Sequence, residues 1–140
     1  MRYQSKKFTC GPAAICNAML VYGEYYQEDD LTKECKTTPL QGTSEAGVIA
    51  GIKFTGRQVE VHKGRDSLTS VMWVDTSIRL GTPVILCVDK WGHWVTVIGA
   101  VGDKYLVADS ANDRLILPYT SLELVDRWNY DSRYYGIAVI

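Results

Sequence analysis

Two apolar segments in the second half of the chain constrain its fold most strongly. They are Pro83–Val88 (Pro-Val-Ile-Leu-Cys-Val) and Trp94–Val101 (Trp-Val-Thr-Val-Ile-Gly-Ala-Val). A continuous apolar run of this length is typical of a strand that is buried on both faces. The residues between the segments, Asp89–Gly92, are suited to a tight turn. The pattern therefore predicts two neighbouring central strands of a buried sheet.

Shorter segments of strand character accompany this pair. They are Gln58–His62, Tyr105–Ala108, Arg114–Leu117 and Tyr134–Ile140. Turn signals such as Gly102-Asp103 and Asn112-Asp113 separate several of these segments. Strands that follow one another through short turns pair antiparallel. We therefore expect a mostly antiparallel sheet in the C-terminal half of the chain.

Helical patterns occupy most of the remaining sequence. The predicted helices are a mostly buried one from about Pro12 to Gly23, Leu31–Lys36, Glu45–Phe54 after the cap residues Thr43 and Ser44, one from Asp66 to Gly81, and a short one at Thr120–Trp128. In the helix that follows Asp66, the residues expected to face the core are Leu68, Val71, Met72 and Ile78. Helices that come first and strands that come second predict an α+β fold, with N-terminal helices packed on a C-terminal sheet.

Composition limits the class of protein. The chain has 140 residues, a hydrophobic content of 46% and a formal net charge of −1. This length suits a single domain over residues 1–140, and the charge gives no reason to expect a nucleic-acid or membrane partner. No apolar run approaches the roughly 18 residues of a membrane span, and no long apolar segment follows the basic N-terminus. We therefore expect no signal peptide and a cytoplasmic location.

The chain contains four cysteines, at Cys10, Cys16, Cys35 and Cys87. They are widely spaced and form no Cys-x-x-Cys pair, so we expect reduced thiols and neither a metal nor a cofactor. Cys16 lies within the first helix and Cys87 within an apolar strand, where core residues are expected. Cys10 alone stands at the start of a helix. The helix dipole there favours a thiolate, which is the nucleophilic form of the side chain.

A cysteine nucleophile needs a general base and a group that orients the base. His62 ends a short strand among basic residues and is expected on the solvated surface. His93 begins a buried strand and Asp109 ends the next one, so antiparallel pairing would bring them to the same end of the sheet. Acyl transfer also needs donors for the oxyanion. The backbone N–H of Cys10 is one candidate, and the side-chain amide of Gln4 on the extended lead-in is another.

These residues together resemble those of the C39-like cysteine peptidases in the papain-like superfamily. The resemblance rests on Gln4, Cys10-Gly11-Pro12-Ala13-Ala14, Gly92-His93-Trp94-Val95 and Asp109, and it covers almost the whole chain. The family includes the bacteriocin-processing, double-glycine leader peptidases. The resemblance implies a papain-like fold and a peptide or protein substrate. The implied roles are nucleophile for Cys10, general base and acid for His93, orienting acid for Asp109 and oxyanion donor for Gln4.

Two positions depart from the family pattern. Thr9 stands where transporter-fused members usually have an acid, and Ser110 stands where they often have proline. Other functions on the same fold therefore stay open. One is a catalytically silent module that binds a peptide or protein, and another is a thiol amidase, isopeptidase or acyltransferase. The tryptophans that could line a substrate groove are Trp91, Trp94 and Trp128.

Overall fold

The computed structural model describes all residues from 1 to 140 and consists of five helices and six strands. The helices are α1 (Cys10–Val21), α2 (Glu28–Glu34), α3 (Glu45–Phe54), α4 (Ser67–Arg79) and α5 (Ser121–Trp128). The strands are β1 (Val59–Gly64), β2 (Val84–Val88), β3 (His93–Val101), β4 (Lys104–Ala108), β5 (Ile116–Tyr119) and β6 (Tyr134–Val139). The predicted α+β class is confirmed. The largest boundary shift is in α2, which begins three residues earlier than the predicted segment, and β5 begins two residues later than predicted.

All six strands belong to one antiparallel sheet, in the order β1-β6-β2-β3-β4-β5. β2 and β3 are its central pair, as their apolar sequences predict. The last strand of the chain lies between β1 and β2, where it pairs with both. No local signal marks that position, because a strand without a hairpin partner can pair with any open edge of the sheet.

Helices cover both faces of the sheet, which explains why the central strands are apolar throughout. Side chains alternate between the two faces along a strand. In β2, Ile85 and Cys87 pack in a core with α1, α2 and α3, whereas Leu86 and Val88 pack in a second core with α4 and α5. The N-terminal helices therefore lie on one face of the sheet, and the later helices lie on the other.

Side-chain caps fix where three of the helices begin. The Ser44 side chain accepts a hydrogen bond of 3.0 Å from the Gly47 N–H at the start of α3. Asp66 caps α4 in the same way, and Thr120 forms a capping box with Glu123 at the start of α5. α1 differs, because its N-cap Thr9 makes no side-chain bond to the first turn.

The structure corrects three predictions about burial. Leu68 and Met72 are 69% and 59% exposed, so the apolar stripe predicted for α4 is rotated from the face that packs on the sheet. The fully buried apolar residue of α4 is Val74. Trp128 is completely buried in the core, so it cannot line a groove. His62 is half-buried against the Trp73 ring, not on the solvated surface as predicted.

None of the five helices is long and apolar enough to span a membrane.

Candidate active site

Cys10 is the first residue of α1, and the tight approach of a neighbouring segment fixes its position. A Cβ added to Gly11 would lie 2.6 Å from the Cβ of Thr43, so only glycine fits beside the thiol. Because Thr9 leaves the first turn of α1 uncapped, N–H groups remain free next to Cys10. The start of this helix is therefore suited to negative charge, either a thiolate or an oxyanion.

Helix α1 packs against β3, and this contact brings Cys10 to the start of that strand. The Thr96 hydroxyl donates a buried hydrogen bond of 2.7 Å to the Ala14 carbonyl. The Trp94 indole N–H donates to the Thr43 carbonyl at 3.0 Å. These bonds join β3, α1 and the segment before α3. As a result, the imidazole of His93, the first residue of β3, lies beside the Cys10 thiol and influences its ionisation.

His93 and Asp109 meet at the same end of the sheet, as the order of the strands predicts. His93 Nε2 lies 2.7 Å from Asp109 Oδ1, and the two side chains are only 12% and 3% exposed. The Ala111 N–H also donates to Asp109 Oδ1, at 3.0 Å. An ionised carboxylate accepts only, so the neutral imidazole carries its proton on Nε2. The other ring nitrogen, Nδ1, is then available to the thiol of Cys10.

These contacts shift the ionisation of all three groups. Burial raises the pKa of the Cys10 thiol. The His93 side chain and the backbone N–H of Trp94 act in the opposite direction, outweigh burial and leave the pKa below its ordinary value. Burial lowers the pKa of His93, yet Asp109 and Cys10 raise it to about 9. The pKa of Asp109 falls well below its usual range, because its bonds to His93, Ala111 and Arg127 exceed the opposite effect of burial. Both the lowered pKa of Cys10 and the raised pKa of His93 therefore favour a thiolate beside an imidazolium, compared with the same side chains in isolation.

The other three cysteines show the effect of burial without such partners. Burial raises the pKa of Cys16 to about 11 and the pKa values of Cys35 and Cys87 to about 12. All four cysteines are free thiols. Cys10 is thus the only one with a lowered pKa, and it is the thiol suited to nucleophilic chemistry.

Gln4 connects the lead-in segment to the loop that carries Asp109. Its side-chain oxygen accepts a hydrogen bond of 2.8 Å from the Ser110 hydroxyl, and its backbone N–H donates to the Ser110 carbonyl. Its side-chain nitrogen donates to the carbonyls of Lys6 and Lys7 at 2.9 and 3.1 Å. Both amide hydrogens are thus engaged. An oxyanion would have to share or replace one of these two bonds.

Arg127 on α5 is a residue of the site that sequence reasoning missed. Its Nη1 lies 2.8 Å from Asp109 Oδ2, so the carboxylate is held between Arg127 and His93. Its Nε and Nη2 atoms also donate to the two carboxylate oxygens of Asp89, at 2.9 and 2.8 Å. No motif or spacing marks Arg127, because a different region of the chain supplies each of its partners.

The turn between β2 and β3 has an unusual backbone. Asp89, Lys90 and Trp91 have φ angles of 54°, 56° and 63°, in the left-handed region that residues with side chains seldom occupy. The two bonds from Arg127 to Asp89 restrain this turn. The turn leads directly into His93, so its conformation helps to set the position of the imidazole.

The predicted groove tryptophans separate in the structure. Trp91 is 40% exposed and lines a cleft of about 310 Å³ together with Glu45, Tyr134 and Tyr135. Trp94 is buried beneath this cleft, with its ring against Tyr135 at a centroid distance of 6.1 Å. Of the three tryptophans, only Trp91 is placed to contact a ligand.

Comparison with known proteins agrees with this architecture. The sequence model of the peptidase C39 family matches residues 1–129. A search of curated protein sequences found no significant match. Among solved structures, the peptidase domain of Streptococcus ComA, a bifunctional ABC transporter of a quorum-sensing pathway, superposes with a TM-score of 0.74. It is 19% identical, and the match covers 99% of this chain and 94% of that domain.

Two further solved structures share the fold. A double-glycine-motif protease from an AMS/PCAT transporter, solved with its leader peptide, has a TM-score of 0.70 and 16% identity, over 99% of this chain and 86% of that one. A C39-like peptidase from Bacillus anthracis has a TM-score of 0.71 and 12% identity, over 100% and 93% of the two chains. At sequence identities this low, the structural similarity shows that these proteins share a fold and nothing more specific.

A helix-start thiol beside an imidazole, on a sheet covered by helices, defines a cysteine peptidase of the α+β class. The match over residues 1–129 shows more specifically that the chain belongs to the peptidase C39 family.

Proposed function

We propose that this peptidase cleaves a leader peptide or another specific protein substrate in the cytoplasm, with Cys10 as nucleophile, His93 as base and acid, and Asp109 as orienting group. The observation that carries the proposal is the lowered pKa of Cys10 beside His93, when burial raises the pKa of every other cysteine. The relative solved with its leader peptide supports a peptide substrate. The free thiols are in keeping with a reducing compartment.

The proposed reaction has two halves. The Cys10 thiolate attacks the scissile carbonyl carbon, and the carbonyl electron pair moves to oxygen. The free N–H groups at the start of α1 bind this oxyanion, together with the Gln4 amide if it releases Lys6 or Lys7. His93 then gives its proton to the leaving amine, the C–N bond breaks, and a thioester remains.

Water completes the second half. Neutral His93 accepts a proton as water attacks the thioester carbonyl, and the C–S bond breaks when the second oxyanion collapses. Throughout the cycle, Asp109 holds the Nε2–H of the ring. This bond keeps Nδ1 directed toward the reacting atoms and stabilises the imidazolium each time it forms.

The pH dependence of Cys10 alkylation by iodoacetamide tests the thiolate directly. Peptide mass spectrometry would follow the reaction in the wild-type protein and in the His93→Ala variant. We expect the wild-type Cys10 to react well below pH 8, and we expect His93→Ala to move the reaction toward the ordinary thiol pKa of about 8.5. Cys16, Cys35 and Cys87 are internal controls, because their raised pKa values should leave them as unreactive thiols in both proteins.

A wild-type Cys10 that reacts only near pH 8.5 would contradict the proposed mechanism. It would favour a silent binding module on the same fold. Hydrolysis that persists in a purified Cys10→Ala variant would equally exclude Cys10 as the nucleophile.

A further inference from the structure

The cleft lined by Trp91 lies next to the candidate active site. The backbone N–H of Trp94 lies next to the Cys10 thiol, and the Trp94 ring packs on Tyr135, which lines the cleft. Glu45 lines the opposite side, two residues after Thr43, the residue that packs against Gly11. A single layer of side chains therefore separates the cleft from Cys10. The cleft is therefore within reach of a peptide that is bound at the thiol.

Strand pairing brings basic side chains to this cleft. Lys63 of β1 pairs directly with Tyr135 of β6, so both side chains project from the sheet face that also carries Trp94 and α1. Arg65 follows two residues later and lines the cleft from the same side. Arg133 precedes Tyr134 and reaches over the Trp91 ring, with its guanidinium carbon 5.9 Å from the ring centroid.

These three basic side chains have no acidic partner. None of the five ion pairs in the protein includes Lys63, Arg65 or Arg133. Glu45 is the only carboxylate that lines the cleft, and it faces the Tyr135 hydroxyl. Three cations and one carboxylate leave the cleft with a formal charge of +2, whereas the whole chain has a charge of −1. Positive charge is therefore concentrated here.

We propose that this cleft, defined by Lys63, Arg65, Arg133 and Trp91, binds an acidic side chain of the peptide substrate near the scissile bond. The proposal rests on the proposed peptidase function and specifies its substrate class. Two arginines can hold a carboxylate in bidentate geometry, and Trp91 gives the peptide an apolar surface beside that charge. Selection arises because an uncharged residue leaves the cations unpaired and a basic residue is repelled.

The first experiment maps the peptides that the protein cuts. A proteome-derived peptide library would be incubated with three proteins, and cleavage sites would be read by mass spectrometry. For the wild type we expect Asp and Glu to be enriched at one fixed position near the cut. A triple variant (Lys63→Glu, Arg65→Glu, Arg133→Glu) should reverse this preference toward Lys and Arg. A matched variant reverses exposed cations outside the cleft (Lys33→Glu, Lys53→Glu, Lys104→Glu) and should keep the wild-type preference.

The second experiment measures binding without turnover, in the Cys10→Ala background. The probe is rhodamine-labelled hexaglutamate, followed by fluorescence anisotropy. We expect its affinity to fall about tenfold with the cleft triple variant, because exposed charge pairs contribute modestly one by one. The matched triple variant should bind as before. Added salt should weaken the hexaglutamate complex by screening.

The outcomes separate this inference from the proposed function. Cleavage without an acidic preference would overturn the acidic subsite and leave the peptidase function intact. If no library peptide is cut, the peptidase function fails, and the hexaglutamate measurement still decides whether the cleft binds acidic peptides. Hexaglutamate affinity that is equal in the two triple variants overturns the subsite. Equally tight binding of a single-stranded DNA of the same charge does so as well, because it indicates a general anion surface.

Discussion

The two histidines of the chain are each partly buried and each bonded to one side chain, but their surroundings shift the pKa of the ring in opposite directions. His62 on β1 stacks on Trp73 at 4.5 Å and bonds to the Ser70 hydroxyl at 2.8 Å. His93 on β3 is more deeply buried, with its side chain 12% exposed, and it bonds to the Asp109 carboxylate at 2.7 Å. Burial lowers the pKa of His62, and Glu60 opposes it only in part. For His93 the same effect of burial is overcome, and the pKa rises to about 9.

The comparison shows that the charge of the hydrogen-bond partner, not the extent of burial, decides whether the pKa of the imidazole rises or falls. A hydroxyl group satisfies the His62 hydrogen bond and leaves the ring neutral, which suits a packing role. A carboxylate with arginine behind it favours the protonated ring, which suits a proton donor and acceptor.

The strongest test exchanges each histidine for alanine. His93→Ala should lower kcat on a cleaved peptide by a factor on the order of 10⁴, because the thiol loses its base and the leaving amine loses its acid. His62→Ala should change kcat less than about threefold, although it should lower the melting temperature, because it removes packing against Trp73. Peptide hydrolysis and far-UV circular dichroism are the readouts. Similar activity losses in two folded variants would contradict the assignment of the base to His93.

Asp109→Asn tests whether the carboxylate makes the difference between the two regions. The amide oxygen can still accept the His93 Nε2–H, but the negative charge that raises the ring pKa is lost. We expect kcat to fall about 10²-fold and the pKa of His93 to drop below 9. The pH profile of kcat/KM would measure both effects. An unchanged profile would mean that Asp109 only fills space.

Arg127 is the next position to test, with Arg79 as a matched control. Arg127→Gln removes the bond to buried Asp109 and the restraint on Asp89. We expect a loss of about 2 kcal/mol in the free energy of unfolding and a kcat about tenfold lower, with KM less affected. Arg79 pairs with Asp75 on the exposed face of α4, so Arg79→Gln should leave the urea midpoint and kcat nearly unchanged. Urea unfolding and peptide hydrolysis are the measurements.

If Arg127→Gln loses stability but keeps wild-type kcat and the same pH profile, Arg127 has a structural role alone. Rescue of kcat by Arg127→Lys would indicate that the positive charge beside Asp109 matters more than the two hydrogen bonds from the guanidinium to Asp89.

Sequence patterns predicted most of this architecture, since it depends on local rules. The central strands follow from their apolar runs, and the place of His93 relative to Asp109 follows from β3 and β4 being consecutive. Arg127 could not be found this way, because its partners Asp89 and Asp109 lie in separate loops that only the tertiary fold brings to α5. The basic cleft was missed for a similar reason. Lys63 and Arg133 are far apart in sequence, and β6 brings them together by inserting beside β1.

Burial was predicted least well where a helix has apolar residues on more than one side. In α4, Leu68 and Met72 share the spacing of an apolar stripe, yet the sheet receives Ser70, Val74 and Ser77. Small residues at 70 and 77 allow the helix to approach the sheet closely, and the hydroxyl of Ser70 satisfies His62. Hydrophobicity alone does not distinguish a close-packed small residue from an exposed one.

The smallest expected effect concerns the pH dependence of stability, and the two histidines should differ in it. The pKa of His62 in the folded protein lies below the ordinary value of 6.5, so the unfolded chain binds this proton more readily. Stability from neutral His62 is therefore present above pH 6.5 and is lost as the pH falls through the folded pKa. His62→Gln should remove this small decline in urea unfolding between pH 7 and 5. If the variant shows the same decline in stability, the decline comes from groups other than His62.

His93 alone would act in the opposite direction, since its pKa is raised to about 9 and its stabilisation is lost as the pH rises from 6.5 to 9. The neighbouring thiol opposes this loss. The pKa of Cys10 is lowered from 9.0, so folding releases a proton at Cys10 where it takes one up at His93. Nuclear magnetic resonance of the two imidazole rings separates the contributions, with His62 titrating below pH 6.5 and His93 near 9. In Cys10→Ala the His93 midpoint should move down, because the thiolate no longer stabilises the imidazolium. An unmoved midpoint would show that Asp109 alone sets the charge of the ring.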